Sequence, residues 1–344
     1  MRNSPMVSCR RSGLLLVLVA TSTIAVSADN QTHVTTVEQW TTAFADEEVQ
    51  LTVRVDAKAA PSGKILWSHS ANRRTITSGE VPLQPDGEFA ATAKVMLRCP
   101  PLRDNIVLAT SVSAEFVPEG QKSAVASFER TLTLFPTDPF SGRHEWTKQL
   151  DIELFDPEGK TATVFASMKL PHRQVHNPAA LDHRPQAGIL IVGEGTSMIK
   201  NRVVAEALWK AAAAGRRVIL LAPSEGSLPW PEAGNGIDGG LPIDMRFARS
   251  QIISELDKRL DATAWRHTGH SVPAIGLNLE SDRRQILLTV SENAASWPWV
   301  TARYPEGKGV LVMCGFRIIE HWDDGPTPRY LFLKILESLE HRND

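Results

Sequence analysis

Residues 187–224 read AGILIVGEGTSMIKNRVVAEALWKAAAAGRRVILLAPS, a run that few architectures accept. An apolar segment, Ile189 to Val192, ends in the glycine turn Gly193-Glu194-Gly195. Ile199, Val203, Ala207 and Ala211 then recur four apart, with Val204 and Leu208 beside them, the spacing of one helix face. Gly215 stops the helix, and a second apolar segment, Val218 to Leu221, follows. Strand, helix and strand in so short a span predict a parallel βαβ unit with a right-handed crossover. Neither apolar segment alternates, so helices are expected on both faces of the sheet.

The first 28 residues belong to no fold. Arg2, Arg10 and Arg11 form a positive n-region, Gly13 to Val26 an apolar h-region, and Val26-Ser27-Ala28 a small-residue cleavage site before Asp29. This pattern predicts a secretory signal peptide, and so a secreted or periplasmic protein. An uncleaved anchor would want a longer apolar run. No cysteine follows the h-region closely, which argues against a lipoprotein anchor, and no later run is long enough to cross a membrane. Cleavage removes three of the 37 basic residues and none of the 39 acidic ones, leaving a net charge of −5. That balance, without a basic stripe, argues against nucleic acid as a partner. Cys9 leaves with the leader, and Cys99 and Cys314 are expected as two buried free thiols.

Residues 29–140 predict an all-β domain. Glu48 to Val55 alternates, as do Glu88 to Leu97 and Asn105 to Phe116. Lys64 to Ser68 surrounds Trp67, Thr75 to Ser78 is short, Pro85-Asp86-Gly87 signals a turn, and Ala124 to Leu134 closes the set. Six or seven short strands without a long helix suggest a β-sandwich of immunoglobulin-like kind, although the paired cysteines of true immunoglobulin domains are absent. Phe135-Pro136-Thr137-Asp138-Pro139-Phe140 is the expected boundary. Beyond it, residues 141–344 predict a doubly wound α/β domain. Its elements are a strand at Ile152 to Phe155, a turn at Asp156 to Gly159 that can cap a helix, and a helix at Lys160 to Leu170. The βαβ unit comes next, then a glycine-rich loop from Ser224 to Gly240 and a helix within Pro242 to Leu260 that places Phe247, Ile252, Ile253, Leu256 and Leu260 on one side. Strands at Ile286 to Val290, Trp299 to Arg303 and Gly309 to Cys314 follow, with a hairpin turn at Pro305 to Gly309 and a closing helix from Thr327 to Glu340.

Residues 148 to 341 resemble the class I glutamine amidotransferase-like superfamily, a flavodoxin-like α/β fold. The likeness lies in Leu208-Trp209, Ala214-Gly215-Arg216-Arg217, Val218 to Leu221, Tyr304 to Val312, Pro328 and the final helix. The closer match is the non-catalytic branch found as accessory domains in bacterial glycoside hydrolases and in secreted proteins. Active members carry a cysteine in a G-x-C-x-G elbow and a histidine after a late strand. In this chain Ala222-Pro223-Ser224-Glu225-Gly226 places serine where cysteine would stand, and Gly315-Phe316-Arg317 places arginine where histidine would. The resemblance therefore implies a retained fold without the nucleophile and base, and a carbohydrate-related setting.

Other constellations are weak. Gly193-Glu194-Gly195-Thr196-Ser197-Met198 lacks the third glycine of a dinucleotide fingerprint and is expected as a tight turn with Thr196 or Ser197 as N-cap. Gly159-Lys160-Thr161 lacks the upstream glycine of a P-loop, because Leu154 stands there. His172 and His176 are four apart, with Asp182 and His183 near, but Pro171 and Pro178 bracket the pair, so no metal is expected there. His267 and His270 rank no higher. Trp230, Trp297, Trp299 and Trp322 are aromatic platforms for a sugar or, more in keeping with α/β loops, packing plugs.

In an open α/β sheet ligands sit beyond the carboxyl ends of the strands. Glu194, Ser224, Glu225, Glu320 and His321 stand there and are the ligand-binding candidates, with no catalytic residue, cofactor or metal assigned. The reading is a secreted, non-catalytic binding or assembly protein whose partner is a protein or carbohydrate. The alternative is a hydrolase using Ser224 and His321, with Asp323 or Glu320 as the acid.

Overall fold

A computed structural model describes residues 32–178, 181, 188–230, 240–280, 297–305 and 309–340. The leader, Asp182 and His183, the expected strand at Ile286 to Val290 and turn residues 306–308 lie outside the described residues.

The first strands are β1 (His33–Thr36), β2 (Thr42–Phe44), β3 (Glu48–Asp56), β4 (Gly63–Ala71), β5 (Arg74–Pro82), β6 (Gln84–Pro85), β7 (Ala90–Arg98), β8 (Leu108–Pro118) and β9 (Ala126–Phe135). They build a four-stranded sheet, β1-β3-β7-β6, and a five-stranded sheet, β2-β9-β8-β4-β5. Alternation decides which face goes inward. Val49, Leu51, Val53 and Val55 of β3 meet Ala93, Val95 and Leu97 of β7 and Ile65, Val112, Ala114, Phe116, Leu132 and Leu134 of the other sheet in one core. Each large aliphatic side chain so buried contributes about 1.5–3 kcal/mol, and a one-residue slip of register would turn the whole set to water. Trp67 lies half-buried over Gly79, where a Cβ would sit 3.1 Å from the ring.

The remaining elements are α1 (His144–Gln149), β10 (Ile152–Phe155), α2 (Lys160–Ser167), β11 (His172–Gln174), β12 (Ile189–Val192), α3 (Arg202–Ala213), β13 (Arg217–Leu220), β14 (Leu228–Pro229), β15 (Asp244–Ala248), α4 (Gln251–Leu256), β16 (Leu279–Glu280), β17 (Trp299–Arg303), β18 (Val310–Cys314) and α5 (Pro326–Glu340). The short β14 and β16 pair with each other. A seven-stranded sheet runs β11-β10-β12-β13-β18-β17-β15. The β11 to β18 pairings are parallel, and β17 and β15 are antiparallel. The chain is thus β-rich, with several sheets and comparatively little helix. Ile152, Leu154, Ile189, Ile191 and Ile219 face one core with α5, whereas Phe155, Leu190, Val192, Val218 and Leu220 face another with α3. Burial on both faces explains the unbroken apolar runs. One ion pair interrupts the second face: buried Arg216 donates to Glu153 Oε2 at 2.7 Å, and Arg173 bonds the other oxygen.

Two expectations are corrected. Residues 242–260 are not mainly helical: Asp244 to Ala248 is an edge strand, and only Gln251 to Leu256 is helix. Phe247 packs on the α3 side, away from Ile252 and Ile253. Ile199 and Val203 are not on the buried helix face: both are exposed, Ile199 because Ser197 bridges to Glu225 and the helix starts only at Arg202, and Val203 on the open side of the helix itself. Cys99 and Cys314 are both buried and free, and burial pushes the Cys99 thiol up to about 12.

Residues 32–344 form one compact unit, and a buried carboxylate fastens β2 to the α5 side. Asp261 Oδ1 accepts from Thr41 N at 2.6 Å and Thr41 Oγ1 at 2.7 Å. Its Oδ2 accepts from Thr42 Oγ1 at 2.6 Å and Thr327 Oγ1 at 3.4 Å. Burial raises the Asp261 pKa, opposed by the bonds from Thr42 and Thr41. The guanidiniums of Arg130 and Arg266 both approach the Trp40 ring, and the Phe135 and Tyr330 rings meet at a tilt of 49° with centroids 4.6 Å apart. Asp261→Ala strands these donors, so urea unfolding should show a stability loss of about 3 kcal/mol.

Candidate functional site

The parallel strands end on one side of the sheet, and their order reverses beside β10: the chain leaves β10 for β11 on one flank and returns to β12 on the other. The loops beyond these ends carry all five sequence candidates. Each is held by local chemistry.

At the end of β10, Asp156 Oδ2 accepts from Ala162 N at 2.8 Å and caps α2, as the turn residues predict. Its Oδ1 is buried without a partner and faces Gly193, where a Cβ would come within 2.6 Å. Only glycine lets β12 end so close to that carboxylate. The next residue, Glu194, is buried, and its own N–H donates to Thr161 Oγ1 at 2.9 Å. Its carboxylate turns inward. Oε2 accepts from Ile319 N at 2.8 Å and Oε1 from Glu320 N at 2.9 Å. Those amides belong to a single turn closed by His321 N donating to Arg317 O. An anion at the start of such a turn satisfies amides that have no partner inside it. Burial nevertheless raises the Glu194 pKa; the two amide bonds oppose the shift.

Ser224 and Glu225 follow β13. Ser224 is exposed and its N–H donates to Thr196 O at 3.2 Å. Among the described residues its hydroxyl bonds no histidine. Glu225 Oε1 accepts from Ser197 Oγ at 2.6 Å. Thr196 and Ser197 do not cap α3: Thr196 Oγ1 donates to Gly193 O, and α3 starts after Asn201 without a side-chain cap. Met198 is buried under the turn, so the glycine pattern builds packing at its third position.

Glu320 pairs with Arg317 at 2.7 Å, which holds its carboxyl below the usual range. His321 donates from Nδ1 to Asp324 Oδ2 at 2.6 Å and sets its ring edge-on to Trp265. Asp324 is the residue that sequence reasoning missed, although its three-residue spacing from His321 was visible. Of the two acids expected there, Asp323 bonds Arg329 and Glu320 bonds Arg317. The structure thus gathers the five candidates around residues 193–198 and 317–321 without joining Ser224 to His321.

The other constellations separate. His172 lies on strand β11, so it and His176 share no helix face. Among the described residues no group of three His, Cys, Asp or Glu is placed to hold a metal ion. Trp299 and Trp322 are buried, and Trp230 is half-buried against the α3-side core. Trp297 meets Phe247 edge-on beneath the Arg249 guanidinium. Trp299 and Trp322 are thus core residues, whereas Trp230 and Trp297 keep part of their surface open.

No family model matches this chain, and no curated protein matches it. Among solved structures it is similar to the sporulation control protein Spo0M from Bacillus subtilis, at 17% identity over 30% of this chain and 49% of that one, with a TM-score of 0.23. It is also similar to a cycloisomaltooligosaccharide glucanotransferase from Paenibacillus sp., at 8% identity over 56% of this chain and 28% of that one, with a TM-score of 0.25. The chain therefore spans about half of the first and under a third of the second. Likenesses this slight assign neither fold nor activity.

The raised Glu194 pKa has a defined sign. Its contribution to stability is complete below the unfolded value of about 4.3 and declines as pH rises through the folded value. Glu194→Gln removes that titration. Urea midpoints at about pH 4 and about pH 7 should show wild type losing ground to the variant as pH rises.

Proposed function

We propose that this chain is an exported, non-catalytic binding or assembly protein. In this proposal an immunoglobulin-like β-sandwich precedes a flavodoxin-like domain of degenerate amidotransferase type. The parallel strands support the second assignment. Numbered in chain order, their spatial order is 2-1-3-4-5, that of flavodoxin-like sheets. Two sheets over one core support the first. Export rests on the leader sequence, and a carbohydrate-related ligand rests on the family resemblance alone.

The observation that carries the non-catalytic reading is the internal satisfaction of the strand ends. Where active relatives hold a nucleophile, Ser224 stands exposed beyond a proline, its hydroxyl in no hydrogen bond with a described histidine. Where they hold a histidine, Arg317 pairs with Glu320. The buried carboxylate between these places, Glu194, is bonded to two backbone amides.

One observation favours the hydrolase alternative. The His321–Asp324 contact orients an imidazole as a triad does, at the correct end of the sheet.

A fluorophosphonate probe separates the two, because it labels only serines activated by a neighbouring base. The folded protein is expected to label at Ser224 no faster than a heat-denatured sample. Labelling of Ser224 that is lost in His321→Ala would establish the hydrolase instead. A glycan array probed with the same protein tests the ligand class, and binding without turnover is the expected result. The purified exported protein should begin at Asp29 by intact mass; an unprocessed chain would remove the support for export.

A further inference from the structure

The β core holds a histidine that neither the candidate site nor the proposed function uses. His69 is fully buried on β4. Its Nε2 lies 2.9 Å from Thr110 Oγ1, and Thr110 Oγ1 donates at 2.7 Å to Leu132 O. A hydroxyl has one proton, and that proton is engaged by the carbonyl. Nε2 must therefore carry the imidazole proton and donate to Thr110. Nδ1 is then a bare acceptor, and it is buried with no partner.

The cross-strand neighbour is Thr77 of β5, paired directly with His69. Thr77 Oγ1 is also buried without a partner. The register shifts immediately after His69, between His69 and Ser70. The two unpaired polar atoms thus sit where edge strand β5 joins the sheet.

The surroundings oppose a charge on this ring. On β8 it bonds Thr110 and pairs with Val112, and Thr110 in turn bonds Leu132 O of β9. Across the core, β7 contributes Ala93, Val95 and Leu97. The charged group on this face is Arg130, paired with Val112, which itself pairs with His69. Its guanidinium donates to Thr36 Oγ1, Glu38 O and Trp40 O, and the carboxylates that act on it are Glu38 and Asp261. Among the described residues no carboxylate in this row compensates an imidazolium.

We propose that His69 is an acid-sensitive fastening. While its ring is neutral it stays buried beside the β4–β5 pairing, and uptake of a proton at Nδ1 drives the ring toward water by release of edge strand β5, which exposes the edge of β4. Burial lowers the His69 pKa, in keeping with this placement. A histidine with a lowered folded value contributes stability above its unfolded value of about 6.5 and loses it as pH falls toward the folded one.

Hydrogen exchange of the full mature chain reads the opening of residues Arg74 to Pro82, compared at about pH 7.5 and about pH 5.5 after correction for intrinsic rates. In wild type the opening equilibrium of this segment should rise about tenfold across that interval, the ratio for one proton bound at about 6.5 in the open state only. His69→Gln keeps a donor toward Thr110 and takes up no proton, so its opening should not change with pH. An equal rise in His69→Gln, or none in wild type, overturns the proposal. Ring-nitrogen NMR of wild type gives a second readout that does not depend on the variant folding. A bare Nδ1 retained below pH of about 6 supports the fastening, and titration at the ordinary histidine value in the folded state refutes it.

Discussion

The carboxylate of Asp261 is the interaction on which the arrangement of the sheets depends. A buried charge is tolerated only where donors surround it, and here they come from two distant segments, Thr41 and Thr42 at β2 and Thr327 in α5. The donors are fixed by strand and helix, so the anion fixes the strand against the helix. The two guanidiniums on Trp40 and the Tyr330 hydroxyl on Pro136 O extend the same join. The β layers are therefore part of the same unit as the parallel sheet.

Carboxylates and hydroxyls are numerous at the strand ends, and Glu194, Glu225, Glu320 and one oxygen of Asp156 are engaged by backbone amides, a hydroxyl or an ion pair, whereas the Ser224 hydroxyl and the inward oxygen of Asp156 are not. Glu194 shows the pattern most clearly. An acid in this position would be a natural contact for a substrate, but its two oxygens hold the turn of residues 317–321 instead. A ligand at this end of the sheet would meet Ser224 and the His321–Asp324 pair before it met Glu194.

Much of the scaffold was legible because periodicity is local. Apolar runs such as Ile189 to Val192 and alternating runs such as Glu48 to Val55 carry their environment in their own side chains. The failures have equally local causes. Asp244 to Ala248 is an edge strand with mixed burial, so Phe247 was easily assigned to the helical pattern of Ile252 and Ile253. Ile199 obeyed helical spacing, but the Ser197 bridge to Glu225 delays the helix past it. The site was legible by place and not by role. The amides that claim Glu194 lie 125 and 126 positions downstream, and no spacing rule connects them.

The pairing of β2 with β9 carries a consequence for how the chain reaches this structure. Thr42 lies beside Thr133 in parallel register, and Thr41 awaits a carboxylate 220 positions later. A chain emerging from its amino terminus can close the β3–β7 and β8–β9 ladders early, since their contacts are comparatively near in sequence. It cannot seat β2 fully until Asp261 and Thr327 exist. Loop closure over such distances is slow, and an unseated strand leaves an edge open to other chains. Strand β2, which precedes nearly all the other elements, is thus among the last to be secured, and the hazard of misassembly is concentrated in the interval before the final helix docks.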